Sequence, residues 1–191
     1  MSGTATTALL TFRRMVVDGI AARLPELKSV AAHPGRFDLE ELKRFALAAP
    51  AVRVALPGLP RVEARSDERL EVTAQVACFV VTRDAPGLPR DDAALAIAQG
   101  LLELAALNQW GVNTDTGFGV LPAQELRAES LYSAEIDRAG VAFWAVSWRQ
   151  RLILRESVFA PAGALPAELY VRFEREDPQP RLIATGSQAA G

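Results

Sequence analysis

The residues that could perform catalysis in this sequence are few. His33 is the only histidine and Cys78 the only cysteine, so a Ser-His-Asp or Cys-His site would have to include His33. His33 is followed by Pro-Gly and is expected in a loop, whereas Cys78 lies in an apolar, alternating stretch typical of a buried strand. A reactive thiol needs a partly exposed, electropositive setting. The sequence therefore does not favour a Cys78–His33 pair.

Asp115 begins an Asp-Thr-Gly triplet, the core of the aspartic-protease motif, within TDTGFG at 114–119. Two such carboxylates sharing one proton could activate water, and a dimer could supply the second. However, polar residues precede Asp115 where that family has an apolar strand. Asp, Thr and Gly are also common turn residues, and we interpret the triplet as a turn.

Motifs for cofactors and metals are missing from the sequence. The glycines at 117 and 119 lack the third glycine of a dinucleotide-binding motif, and no GxxxxGK[ST] loop occurs. A single histidine excludes a His-rich metal site, and a single cysteine excludes a cysteine-rich zinc site. We therefore predict no catalytic residue, no cofactor and no metal.

The stretch GVAFWAVSWRQRLIL at 140–154 is predicted to be a strand covered on both sides where it begins. Trp144 and Trp148 share one face, while the other face becomes basic at Arg149 and Arg151. A tryptophan pair can stack on a ring-bearing ligand or on single-stranded nucleic acid, but tryptophan on an apolar strand face usually lies in the core. We assign Trp144 to the core and predict that Trp148, Arg149 and Arg151 lie at a subunit interface.

Composition indicates one globular domain rather than a disordered chain. The 191 residues are 50% hydrophobic and 23% charged, and 21 basic against 23 acidic residues give a formal net charge of -2. A dedicated nucleic-acid-binding protein would usually have a strong basic excess. The N-terminal stretch lacks the order of charges in a secretory signal, and no apolar run reaches the length of a membrane span.

Hydrophobic periodicity predicts helices and strands that alternate along the chain. The helix expected from Asp38 has a capping box and is ended by Pro50. The helix expected at 91–110 should be buried and should pack on the strand face that carries Val72, Val76 and Cys78. The predicted helices span 6–24, about 38–49 and 91–110, and the predicted strands span 51–58, 61–65, 69–83 and, as one strand-like stretch, 120–154.

The C-terminal part is predicted to be an extension of a domain at 1–155 rather than a second domain. Residues 156–191 are rich in Pro, Gly and Ala, and we expect their end to be disordered. One stretch alternates, with Leu169, Val171 and Phe173 on one face. An isolated strand is not stable alone, so we expect it to pair with a sheet edge, with the adjacent subunit as one candidate, and we include these three residues in the predicted interface.

Two stretches of the chain resemble a family of small tail proteins from Mu-like phages and prophages. The first is HPGRFDLEELKRFALAAPAVRVALPG at 33–58, and the second is ESLYSAEIDRAGVAFWAVSWRQ at 129–150. The second contains an LYS phrase, an acidic position, a glycine and a strand with the pattern W-x-V-x-W-x-Q. Family members carry Asn before LYS where this chain has Ser130, which leaves no role to assign to that position.

That family looks like the tail terminators, which cap a phage tail tube and join it to the head. The resemblance implies an α/β (α+β) fold with a mixed, mainly antiparallel sheet flanked by helices. It also implies a homo-oligomeric ring, commonly of six subunits, with no enzymatic activity and no cofactor. Its partners would be the tail tube protein and a head–tail connector or head-completion protein. Genome DNA would pass through the ring without sequence-specific binding, and no membrane would be involved.

Such a protein would lie at the head–tail junction of the virion and, during assembly, in the host cytoplasm. Other interpretations remain open. A head-completion, neck or baseplate protein would have a similar size and composition. An enzyme would have to use Asp115 or Cys78 as its reactive group. A small binding module would use the surface around Trp148.

Overall fold

The computed structural model describes residues 7–35, 44–106, 108–111, 118–154, 168–171 and 181–185, and the last two ranges as backbone only. The chain divides into two compact units, Met1–Glu156 and Ser157–Gly191. The capping box at Asp38, the triplet at Asp115, the interface residue Phe173 and the C-terminal end lie outside the described residues.

The first unit is built on a five-stranded open sheet. Its strands are β1 (Ser29–Ala32), β2 (Ala51–Ala64), β3 (Leu70–Arg83), β4 (Phe118–Ser130) and β5 (Val141–Leu154). Their order in the sheet is β1-β2-β3-β5-β4. Only the β1–β2 pair is parallel, and the other pairs are antiparallel. The predicted α+β fold with a mixed, mainly antiparallel sheet is confirmed.

The main core lies between two helices and the sheet face that carries Val72, Val76 and Cys78, which we call the first face. Helix α1 (Ala8–Arg23) and helix α2 (Arg90–Ala106) both bury apolar side chains against it. The α1 residues Phe12, Val16 and Ile20 and the α2 residues Ile97, Ala98 and Leu101 belong to this cluster. The predicted packing of α2 on this face is confirmed, although α2 ends at Ala106, and Leu95 on its outer side is 55% exposed.

Within the described ranges, the opposite side of the sheet, the second face, is covered at one end only. Residues 44–47 are helical, and a short helix, α3 (Ala134–Arg138), follows β4. A smaller apolar cluster that includes Ala46, Val81 and Phe143 lies at this end. Towards the other end, the second face carries polar and charged side chains.

Two further predicted boundaries differ from the structure. The strand expected to stop at Pro57-Gly58 continues as β2 to Ala64, with shifts in register on either side of Gly58. Beyond Val54, β2 has no described partner on its outer side, and proline is tolerated at such an edge because no ladder hydrogen bond is lost. The stretch expected to remain strand-like through 120–154 is interrupted by α3.

The missed helix α3 has local signals of its own. The Ser133 hydroxyl accepts a hydrogen bond from the backbone N–H of Ile136 at 3.2 Å and caps the helix. Glu135 and Asp137 follow in its first turn, and Gly140, with a φ of 68°, ends the segment. A serine cap, acidic first turn and terminal glycine are helix boundary signals, so this helix was predictable from the sequence.

The second unit contains a two-stranded antiparallel sheet. Strand β6 (Glu168–Val171) pairs with β7 (Arg181–Thr185). The strand that carries Leu169 and Val171 therefore has a partner within its own unit, and its expected pairing with a sheet edge, with the adjacent subunit as one candidate, stays a prediction. Strand β7 was not predicted from the sequence.

Candidate functional site

The open end of the second face carries a dense set of polar and charged side chains, which we call the charged face. Strand alternation places these side chains on the side of the sheet away from α1 and α2. The charged face consists of Arg61, Glu63, Glu71, Thr73, Gln75, Gln124, Glu125, Arg127, Ser147, Arg149 and Arg151.

Strand register brings the charged face together from four strands. Thr73 in β3 lies opposite Arg61 in β2 and Arg151 in β5. Arg149 in β5 lies between Gln75 and the β4 residue Gln124. A groove of about 510 Å³ runs over these rows, and a smaller cavity of about 100 Å³ adjoins it near Arg149. The surface is therefore a shallow polar groove rather than a closed pocket.

Glu71 is the centre of the ionic network. Its carboxylate accepts hydrogen bonds from Arg65 Nη1 at 2.9 Å and from Arg151 Nε at 2.7 Å, and its side chain is 12% exposed. The hydrogen bond from Arg151, together with that from Arg65, holds the pKa of Glu71 below its ordinary value. The same contact raises the pKa of Arg151. Both partners are thus held charged and fixed in position.

Arg149 pairs with Glu125 at 2.7 Å, and both side chains are about half exposed. Glu125 lies at a register shift in β4 and has a φ of 51°. The shift places an additional residue on the edge strand, as bulges do. Among the described residues, Arg127 makes no ion pair, although it lines the smaller cavity together with Arg149. Isolated exposed pairs contribute only about 0–1 kcal/mol to stability, so folding alone gives little reason for this concentration of charge.

Trp148 lies in the core, not at the surface predicted for it. Its side chain is 2% exposed, and its ring stacks on that of Trp110 with centroids 5.8 Å apart. Its Nε1–H donates to Gln150 Oε1 at 2.8 Å, and Trp110 Nε1–H donates to the same oxygen at 3.3 Å. The Gln150 amide in turn donates to the backbone carbonyl of Leu121. This removes the surface on which a Trp148-based binding module would depend.

Arg149 and Arg151, in contrast, lie on the partly open surface where they were predicted, 48% and 37% exposed. Their role at a subunit interface stays a prediction, as do those of Leu169 and Val171 in β6. The residues that complete the charged face on β2, β3 and β4 were not predicted from the sequence. The alternation of Glu71, Thr73 and Gln75 on the polar side of β3 was the available indication.

The two candidate catalytic residues that the structure describes lie apart. Cys78 is buried in the main core, and burial raises the pKa of its thiol far above the ordinary range. His33 is 6% exposed, and its ring lies edge-on to Phe45, which packs on the second face. Its Nδ1 accepts a hydrogen bond from the backbone N–H of Gly35 at 3.0 Å. No group of three or more His, Cys, Asp or Glu side chains in the described ranges is arranged to hold a metal.

Comparison with known protein families gives a match over most of the first unit. The family model described as bacteriophage Mu, Gp37 matches residues 13–153. The chain belongs to this family. The match begins within α1, ends near the end of β5 and includes the whole charged face. No curated protein matches the chain. Membership in the bacteriophage Mu Gp37 family indicates a phage structural or morphogenetic protein and association with the virion.

None of the helices within the described ranges is both long and apolar enough to cross a membrane. The two stretches that carried the sequence resemblance, 33–58 and 129–150, both fall inside the Gp37 match. The predicted recognition of a Mu-like phage protein is confirmed.

Proposed function

We propose that this Gp37-family protein is a tail terminator, a structural protein that caps the phage tail tube and joins it to the head–tail connector. The observation that carries this proposal is the Gp37 match across residues 13–153, together with the tail-terminator resemblance of the sequence. The protein would act as a homohexameric ring at the head–tail junction, bound to the tube protein below and to a connector or head-completion protein above.

The geometry of the charged face supports a role in assembly rather than catalysis. Its acids and bases neutralise one another in pairs such as Arg149–Glu125 and Arg151–Glu71. The lowered pKa of Glu71 and the raised pKa of Arg151 keep both groups charged at neutral pH, whereas a general acid or base works best with a pKa near the operating pH. Arranged charges of both signs fix the register and specificity of protein contacts. We propose that the protein is not an enzyme and needs no cofactor.

Near-balanced charge also supports the expected relation to DNA. The formal net charge of -2 would let a genome pass through the ring without being held, because phosphate binding requires a basic surplus that releases counterions. The second unit, Ser157–Gly191, lies outside the Gp37 match, and we propose that it contributes contacts between neighbouring subunits.

The test is the length of the tail tube. Phage particles produced without this protein should contain tubes of irregular and excessive length that are not attached to heads, because nothing stops tube growth. Purified tube protein polymerised with the chain should give short, capped tubes. Normal-length tails beside heads that leak DNA would instead identify a head-completion protein. A loss of tails altogether would identify a baseplate protein, and either result would refute the terminator proposal.

A further inference from the structure

The charged face has more arginines than it can pair internally. Three of its arginines form ion pairs with its three glutamates, and Arg127 is left without an ion pair among the described residues. Arg65 at the edge of this surface adds no surplus, because it contacts both Glu71 and Asp67. The open end of the second face therefore has a cationic surplus, although the chain as a whole is slightly acidic.

The other side of the molecule carries a surface of the opposite character. Asp91, Asp92 and Leu95 lie near the start of α2 and Leu88 lies two residues before it, and we call these four residues the α2 patch. Leu88 is 46% exposed and Leu95 is 55% exposed, and Asp91 and Asp92 are exposed as well. Neither aspartate makes an ion pair within the described part of the chain. Acidic residues favour a helix N-terminus, but that preference gives no reason for two exposed leucines beside them.

The two surfaces point away from each other. Helix α2 packs on the first face of the sheet, so its outer side looks outward from that face, whereas the charged face lies on the second face. A protomer with complementary surfaces on opposite sides joins its copies head to tail, and such contacts form a ring when the rotation closes. One copy offers the charged face to one neighbour and the α2 patch to the other.

We infer that the contact between neighbouring copies is made by the charged face of one protomer and the α2 patch of the next. Arg127, which has no ion pair among the described residues, and the half-exposed Arg149 would meet Asp91 and Asp92, and the exposed leucines would be covered at the same contact. Charges at such a contact set orientation and the rate of association, while the apolar side chains supply buried area. This inference depends on the proposed ring and names the surfaces that form it.

The edges of the sheet do not favour the alternative, strand addition between copies. Strand β1 has four residues, and β4 has two shifts in register. The free part of β2 contains Pro57 and Pro60. Short strands, bulges and prolines are the usual means by which edges avoid pairing with another chain. Contacts through faces are therefore the better fit to this sheet.

The experiment is a charge reversal on each surface, read as oligomer mass by light scattering over a dilution series of the full chain. The face variant is Arg127→Glu with Arg149→Glu, and the patch variant is Asp91→Arg with Asp92→Arg. Each alone should raise the concentration for half-assembly at least tenfold. The control Arg14→Glu, an exposed position on α1, should leave it unchanged, and thermal melting checks that every variant is folded.

Mixing the two variants in equal amounts gives the decisive result. In an alternating ring, each reversed face meets a reversed patch and each unchanged face meets an unchanged patch, so the mixture should assemble at the wild-type concentration. Folded variants that assemble like the wild type, or a mixture that stays apart, would overturn the inference. The tube-length experiment is independent of it. Normal tube lengths without the protein would refute the terminator proposal even where the charge reversals behave as expected.

Discussion

Replacing Gln150 with leucine should destabilise the first unit more than the similar volumes of the two side chains suggest. The amide oxygen accepts from Trp148 at 2.8 Å and from Trp110 at 3.3 Å, and the amide nitrogen donates to Leu121. All three partners would lose a hydrogen bond in a part of the core where Gln150 is 0% exposed. A buried group left unpaired costs about 1–3 kcal/mol.

The magnitude follows from the three contacts. Loss of the short hydrogen bond from Trp148 should account for most of the decrease in stability, and loss of the longer hydrogen bond from Trp110 for a smaller part. The added apolar surface of leucine should offset part of this decrease. We expect a net decrease of about 3 kcal/mol in the free energy of unfolding. Urea unfolding followed by tryptophan fluorescence measures it, because two of the three tryptophans report on this network.

A matched control is available on the neighbouring strand. Gln75 in β3 is exposed on the charged face, so Gln75→Leu should change the free energy of unfolding by no more than about 0.5 kcal/mol. If Gln150→Leu falls within the same limit, the tryptophan network is not a determinant of stability.

Four further predictions concern the core, the ionic network and the second unit. Leu101→Asp should unfold the first unit, because Leu101 is 1% exposed and an unpaired carboxylate there is costly, whereas Ala96→Asp on the outer side of α2 should melt near the wild type. Glu71 has a lowered pKa in the folded state, so its ionised carboxylate stabilises the folded state at neutral pH. This stabilisation is lost as pH falls below 4.5 and through the lower pKa of the folded state. The urea midpoints of wild type and Glu71→Gln should therefore differ at pH 7 and converge at acid pH, and a constant difference would count against this network. Cys78 should not react with a disulfide-exchange reagent until urea unfolds the chain, because burial raises the pKa of its thiol. A chain truncated after Arg155 should melt like the full chain but assemble poorly, and loss of folding would show that the second unit is needed by the sheet.

Several features could be predicted because they depend on local periodicity. Helix α1, helix α2 and strand β3 each repeat apolar residues at the spacing of one secondary structure, and that spacing depends only on backbone geometry. The same periodicity identified the first face as the surface beneath α2. The resemblance to a Mu-like tail protein was also carried by contiguous stretches, 33–58 and 129–150, and needed no knowledge of the fold.

The irregular features were harder to predict. Proline and glycine at 57–58 indicated a strand end, but β2 continues, since no described strand pairs with its outer side over that region and the prolines there interrupt no described ladder. Whether a strand has a neighbour on each side is decided by the order of the sheet. Local sequence at Pro57 therefore could not distinguish an ending strand from a bulged edge.

What the sequence determined by itself was which residues alternate and which families the chain resembles. Only the tertiary structure decided whether Trp148 is buried and which residues form the charged face. The polar neighbours of Trp148 in sequence, Ser147 and Arg149, point to the opposite face of the sheet, so they carry no information about its burial. Its stacking partner, Trp110, comes from a separate segment. Glu71 and Arg151 are 80 residues apart in the chain, and they meet because β3 and β5 pair in one register, which is fixed by the packing of the whole sheet rather than by either strand alone.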